Sequence, residues 1–419
     1  MAIFDDAIAG TVTVPTMRVG SVDNGARPND ERAFFERYHK DFIQFAAKAR
    51  THFRDEATSD WNAFRPTNGS DFVGSWQAFL KRAGFLPFEQ EHGVFGYVTL
   101  AATRLFQEYI RTVEGIAEIG TPDGIVGRNT RLHANRWDKE GKVASWWQPD
   151  AAAPSKEYKM WIDIMQKSKV SNQANPHEVI AAVSAAPKTG DTRKIDDWEW
   201  KPEDIHLIGI RRNQDKRDFT RGNDDLFLLL IRGMVFKFYG STDPRPKGAR
   251  SDEAYLVEGQ HKYRMAWHKI GDIKKVYKAL KPHSGQGVMV FRDKDGDDDF
   301  DSDDVKLGLQ GPNNTINVHW TGSGVSNFSQ GCQVIAGSSY LNSDNKLIDC
   351  RAFASRSYGG LSQGQTRGAY NVLCDLVLVY SPLNQDVVWY TLGRDDVLDE
   401  HPDLGADWAA MMVKNMKFD

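Results

Sequence analysis

Of the three cysteines in 419 residues, Cys332, Cys350 and Cys374, the first stands in a setting suited to nucleophilic chemistry. The stretch Ile316-Asn317-Val318-His319-Trp320 reads as an apolar strand that presents a histidine at its end. Thr321-Gly322-Ser323-Gly324 turns the chain back, and Phe328-Ser329-Gln330-Gly331-Cys332-Gln333-Val334-Ile335 returns a cysteine to that histidine. A thiol is largely protonated near neutral pH, so a nucleophilic cysteine needs a neighbouring base, and imidazole is suited to the task. Cys332 is therefore the expected nucleophile and His319 the expected general base. Gly331 lets the backbone approach a substrate carbonyl, and the main-chain N–H groups of Gly331 and Cys332 are the expected oxyanion donors. Ser329 is expected to fix the loop by bonding its own turn. Taken singly, Cys332 reads as a small buried apolar residue and His319 as a core histidine; the glycine between serine and cysteine favours catalysis.

The elements that must position this pair divide the chain. At this length a single core is not expected, and 40% hydrophobic with 26% charged residues describes a folded globular protein. The formal net charge of -4, from 53 basic and 57 acidic side chains, gives no global field for nucleic acid or an anionic membrane. Residues 1–68 read as an arm with Thr11-Val12-Thr13-Val14 alternation, then amphipathic helices from Asp30 to about Ala57. Residues 69–137 read as a three-helix module, 138–203 as a linker with helices, 204–395 as the mainly β half, and 396–419 as a tail. Expected strands are Asp204 to Arg212, Asp224 to Gly240, Gly287 to Arg292, Asp375 to Tyr380 and Asp386 to Leu392. The fold class is thus multidomain α+β.

Two turns frame the helical module, Gly93-Val94-Phe95-Gly96 before Thr99 and Asp123-Gly124-Ile125-Val126-Gly127 before Thr130. Each repeats one device: glycines for a tight turn, an apolar pair for the core, and a polar residue expected to cap the next helix. With Ala102 and Leu105-Phe106-Gln107, this run resembles the small peptidoglycan-binding domain found on wall hydrolases. It departs at His92, where that family usually has Asp, and in a longer insertion between Tyr109 and Gly120. The resemblance implies binding of glycan or stem peptide.

The Cys332 segment resembles the catalytic domain of L,D-transpeptidases, whose hallmark is a strand histidine followed by Ser-His-Gly-Cys-Ile-Arg. The likeness extends through Tyr255-Leu256-Val257-Glu258-Gly259, Tyr263, His268, Ala279-Leu280 and Val288-Met289-Val290-Phe291-Arg292-Asp293, to a variant branch of phage-like and wall-hydrolase proteins. It implies attack of Cys332 on a stem-peptide carbonyl, with His319 as base and a thioester acyl-enzyme. Substrate contacts are expected from Gln330, Gln333, Trp320, Thr321, His268 and Arg351. Gln330 replaces the family's histidine before glycine, Gln333 its arginine after cysteine, and only thirteen positions separate His319 from Cys332. Arg351 or Arg356 is the candidate replacement for the lost charge, since glutamine cannot grip a carboxylate as arginine does.

The expected activity is therefore that of a cysteine-dependent peptidoglycan transpeptidase or peptidase. The other reading is a non-catalytic wall-binding component of a phage tail or contractile injection machine. No cofactor and no metal are expected: the cysteines lack CxxC spacing, and the acidic run Asp293 to Asp304 has Asp298 where a calcium loop needs glycine. The expected partner is peptidoglycan, without nucleic acid or membrane insertion. The opening Met-Ala-Ile-Phe-Asp-Asp lacks the pattern of a secretory signal, so the protein is expected to be made in the cytoplasm and to act in the wall after delivery or lysis.

Overall fold

A computed structural model describes residues 14–26, 65–67, 71–90, 92–146, 153–212, 222–245, 253–269, 277–294, 302–362, 364–381 and 386–418. The helices expected between Asp30 and Ala57, the strand at 11–13 and the centre of the acidic run, 295–301, lie outside the described residues. The chain forms two compact units. One comprises Met1–Pro149, Ala266–Lys278 and Gly359–Asp386, and the other Asp150–Met265, Ala279–Tyr358 and Val387–Asp419.

The first unit opens on a short parallel pair, β1 (Ser21–Val22) and β2 (Arg65–Pro66), followed by helices α1 (Phe72–Arg82), α2 (Tyr97–Thr112) and α3 (Arg128–Glu140). In α1 the apolar residues Val73, Trp76, Phe79 and Leu80 recur at helical spacing and are buried. Its first N–H groups are satisfied from a distance: Asp23 accepts from Phe72, Val73 and Gly74 at 2.9–3.0 Å. The segment read as a separate arm is thus part of this unit, and it also bonds both glycine turns, Phe95 N–H to the Ser21 carbonyl and Val126 N–H to the Met17 carbonyl.

Those turns repeat each other atom for atom. Gln77 accepts from Gly93 N–H and donates to the Val94 carbonyl and Thr99 Oγ1, while Gln107 accepts from Gly124 N–H and donates to the Ile125 carbonyl and Thr130 Oγ1. Thr99 and Thr130 therefore receive a buried glutamine. They do not cap helices, whose N-caps are Gly96 and Gly127. An aromatic cluster of Trp76, Phe79, Phe85, Phe106, Tyr109 and Trp137 fills the centre, with ring centroids 5.2–5.9 Å apart.

The second unit begins with α4 (Lys156–Ala174), capped by Ser155, and α5 (Glu178–Ala185). Strands β3 (Ile205–Arg211), β4 (Asp225–Ile231), β5 (Met234–Ser241), β7 (Gly259–His268), β8 (Tyr277–Pro282), β11 (Val318–Trp320), β12 (Gln333–Ile335) and β15 (Val388–Arg394) pair in the order β12-β11-β8-β7-β15-β3-β4-β5. Pairing of β12 with β5, Val334 opposite Ser241, closes them into an eight-stranded barrel. β13 (Ser339–Leu341) and β14 (Leu347–Asp349) extend from β5, and β6 (Ala254–Leu256), β9 (Val288–Arg292) and β10 (Gln310–Asn313) form a small separate sheet. Between β9 and β10 runs α6 (Ser302–Gly308).

β4 is apolar at every position after its aspartate because both of its faces are covered. Leu226, Leu228 and Leu230 join a core with Tyr158, Trp161, Ile164 and Met165 of α4 and with Ala409, Val413 and Met416 of α8 (Ala406–Met416). The segments read as linker and tail are therefore walls of this unit.

Two further expectations are corrected. The predicted strand at Asp375 to Tyr380 is the second half of α7 (Ala369–Tyr380), in the first unit. Its apolar run is buried all round, and periodicity alone cannot separate such a helix from a buried strand. It packs on α2 through an ion pair, Arg104 to Asp375 at 2.5–2.8 Å, with both side chains at most 3% exposed. Nor is 204–395 one domain, since 266–278 and 359–386 cluster with the first unit. The chain is a mixed α/β protein with a closed eight-stranded barrel.

Candidate active site

The histidine lies on β11, and the cysteine immediately precedes β12, the neighbouring strand of the barrel. β11 and β12 run parallel with Val318 opposite Gln333, His319 opposite Val334 and Trp320 opposite Ile335. One residue back, Asn317 faces Cys332: Gln333 N–H donates to the Asn317 carbonyl at 2.9 Å, and Asn317 N–H donates to Cys332 Sγ at 3.4 Å. Because side chains alternate along a strand, Asn317, His319 and Cys332 share one face, while Val318, Trp320 and Gln333 share the other. With ~4.8 Å between strands and ~3.3 Å per residue, His319 and Cys332 are about 8 Å apart at Cα, a span the two side chains together can bridge.

The protons around the pair are partly assigned by geometry. A carbonyl oxygen only accepts, so His319 Nδ1, 2.9 Å from the Trp320 carbonyl, carries the ring proton of the neutral imidazole. Nε2 is then the basic nitrogen. Cys332 is half-buried, and its thiol donates to the Thr315 carbonyl at 3.3 Å while accepting from Asn317 N–H. Cys350 and Cys374 are buried, and burial with the nearby Asp375 charge pushes the Cys374 thiol up to about 12.

The Ser-x-Gly-Cys turn is braced from within. Ser329 Oγ accepts from Gly331 N–H at 3.2 Å and donates to the Cys332 carbonyl at 2.5 Å, which is the bond to its own turn that was expected. Gly331 N–H is thereby turned to the serine, and that half of the expected oxyanion pair is engaged inside the loop. The glycine is required for a different reason. At φ +128°, a Cβ on Gly331 would sit 2.5 Å from the Ala254 carbonyl oxygen, so the close backbone approach is to this chain's own β6.

Several expected substrate contacts fall elsewhere. Gln333 is 0% exposed, donating to the Thr242 carbonyl at 3.0 Å and accepting from Tyr390 Oη at 2.9 Å. Trp320 is fully buried, and Thr321 Oγ1 donates to the Ser326 carbonyl, bracing the loop. The pleat explains Gln333 and Trp320: a neighbour of the nucleophile or base in sequence points to the opposite face. Arg351 pairs with Asp349 at 2.8–3.2 Å and lies over the Phe418 ring, so it is committed outside the site. His268 belongs to the first unit, its ring 5.3 Å from Tyr277. Gln330 is exposed beside the turn, and Arg356 is exposed. His261 is a structural histidine, bonded to Thr192 and the Val257 carbonyl, and burial brings it down to about 3.

Under the turn runs a polar network that no spacing in the chain announced. The Thr242 carbonyl accepts from Gln333 and from Arg211 Nη2 at 3.1 Å, and Arg211 pairs with Glu258 at 2.8 Å and Asp243 at 3.1 Å. Burial works against the Glu258 charge, but Arg394 and Arg211 hold its carboxyl below the ordinary value. Asp225 accepts from Thr242 N–H and Oγ1, and burial with the Asp243 and Asp224 charges raises its carboxyl well above the usual range. Two site residues were also missed: Asn317, whose backbone serves the sulfur, and Tyr358, whose ring lies 5.9 Å from that of His319. Comparison with family models, with curated proteins and with solved structures finds no match to this chain.

Proposed function

We propose that the protein is a cysteine-dependent enzyme acting on the peptide stems of peptidoglycan, with an L,D-transpeptidase-like site in the barrel and a wall-binding helical unit. The observation that carries this reading is the bond from His319 Nδ1 to the Trp320 carbonyl, which leaves Nε2 basic on the face shared with Cys332. In the proposed reaction Nε2 takes the thiol proton and Sγ attacks the carbonyl carbon. The C–N bond breaks as the imidazolium returns its proton to the leaving amine, and a thioester remains on Cys332. An amine acceptor then gives exchange or cross-linking, and water gives cleavage. Among the described residues no helix is long and apolar enough to cross a membrane.

A second reading, a wall-binding structural component without turnover, draws on the inward-facing Gln333 and on the Gly331 N–H bonded to Ser329. Incubation of the wild-type protein and Cys332→Ala with muropeptides, followed by mass spectrometry, separates the two. The enzyme reading predicts shortened or exchanged stems with the wild type alone. Unchanged muropeptides with folded, reduced wild type contradict it and favour the structural reading.

A further inference from the structure

The loop between His319 and Cys332 carries two of the large apolar side chains that the fold leaves in water, Phe328 at 54% and Val325 at 87% exposure. Phe328 has a neighbour. Its ring centroid lies 6.2 Å from that of Tyr358, half-buried, and Tyr358 in turn lies 5.9 Å from the His319 ring and 6.4 Å from the buried Trp320 ring, stacked on it at 25°. One aromatic strip therefore runs from solvent to the base of the proposed dyad.

A lone exposed aromatic needs no explanation, but a strip that ends on the proposed base does. Its ring faces remove apolar surface from water and offer no charge. A carboxylate or ammonium held against them would lose hydration without a compensating bond, except where a cation reaches a ring face. Of the side chains expected to bind a carboxylate, Gln333 points into the barrel and Arg351 is paired with Asp349, while Arg356 is exposed two residues before Tyr358.

We propose that Phe328 and Tyr358 form an apolar subsite beside Cys332, which takes an uncharged aliphatic or aromatic side chain of the residue flanking the attacked carbonyl. The subsite rests on Cys332 as the nucleophile and deepens that reading by naming the side chain preferred beside the attacked carbonyl.

Alkylation tests this without any peptidoglycan chemistry. Sγ displaces iodide from either iodoacetamide or N-benzyl iodoacetamide, and the ratio of the two rates on Cys332, read by peptide mass spectrometry, is compared with that on N-acetylcysteine. The subsite predicts a ratio about tenfold above the reference, as expected for ~60 Å2 of benzyl surface leaving water in the transition state. Phe328→Ser is expected to return the ratio to the reference, and Phe328→Leu to keep most of the preference. A wild-type ratio equal to the reference overturns the proposal, as does a raised ratio that Phe328→Ser leaves intact. A raised ratio in a protein inert toward muropeptides sinks the peptidoglycan substrate and leaves the subsite standing for a nucleophilic Cys332.

Discussion

The Gly-x-x-Gly turns of the helical unit and the Ser-x-Gly-Cys turn of the barrel both rest on a buried glutamine, but the two kinds of glutamine relate differently to the chain. Gln77 and Gln107 sit one helix upstream of the turns they brace, each reaching a glycine N–H, a carbonyl and a threonine hydroxyl. Gln333 sits two residues after the glycine whose turn it underlies, and its partners Thr242, just past β5, and Tyr390, on β15, come from distant parts of the chain. A helical module repeats its brace at regular spacing. A barrel assembles its brace from whatever the sheet order brings together, so adjacency to the nucleophile in sequence says little about facing the substrate.

The largest effect that breaks this comparison lies in the first unit. Arg104→Ala removes the buried cation that Asp375 pairs with and is expected to cost about 3–5 kcal/mol in chemical denaturation. A loss below about 1 kcal/mol contradicts the assignment of α7 to this unit. Next, Gln77→Ala and Gln107→Ala are each expected to cost about 1–3 kcal/mol, similar to one another, because each breaks the same three bonds, to a glycine N–H, a carbonyl and a threonine hydroxyl, although Gln107 also holds Asp123. Clearly unequal losses would show that the repeat is one of shape only. In the barrel, Gln333→Leu is expected to destabilise by about 1–3 kcal/mol by stripping Thr242 and Tyr390 of a partner, and Gln330→Ala by less than ~0.5 kcal/mol. Equal effects from these two glutamines would refute the alternation on which the site geometry depends.

The smallest effect is a pH dependence beneath the site. Burial pushes the Asp224 carboxyl up to about 6 from an ordinary 3.8, with Arg212 opposing and Asp243 adding to the rise. A folded value above the unfolded one means that the contribution to stability is present at low pH and is lost as pH rises through about 6. Asp224→Asn should therefore gain stability relative to the wild type between about pH 4 and pH 7. Parallel profiles of denaturation midpoint against pH would show that the carboxyl is not raised.

What the chain disclosed follows from where each group's partners lie. The three helices, most of the predicted strands and the brace by Ser329 were legible because their causes are local: periodic apolar residues, glycine turns and a hydroxyl within reach of its own loop. The strand expected at 375–380 failed because Leu373-Cys374-Asp375-Leu376-Val377-Leu378-Val379-Tyr380 is buried on all sides, which erases its period. Linker and tail failed because α4 and α8 gain their meaning from packing on β4, a contact between segments far apart. In the site, residue types suggested Cys332 and His319, but only strand register revealed that Trp320 and Gln333 face away and that Asn317 serves the sulfur.

The central claim is a thioester on Cys332, and intact-protein mass spectrometry tests it most directly. Wild-type protein mixed with muropeptides and quenched in acid is expected to gain the mass of the acyl fragment, mapped to Cys332, labile to hydroxylamine and absent from Cys332→Ala. His319→Gln is expected to slow its formation by roughly 100-fold or more, the range of a positioned general base. A wild-type protein that turns over muropeptides without an adduct on Cys332, and a Cys332→Ala variant that turns them over equally well, would contradict the account.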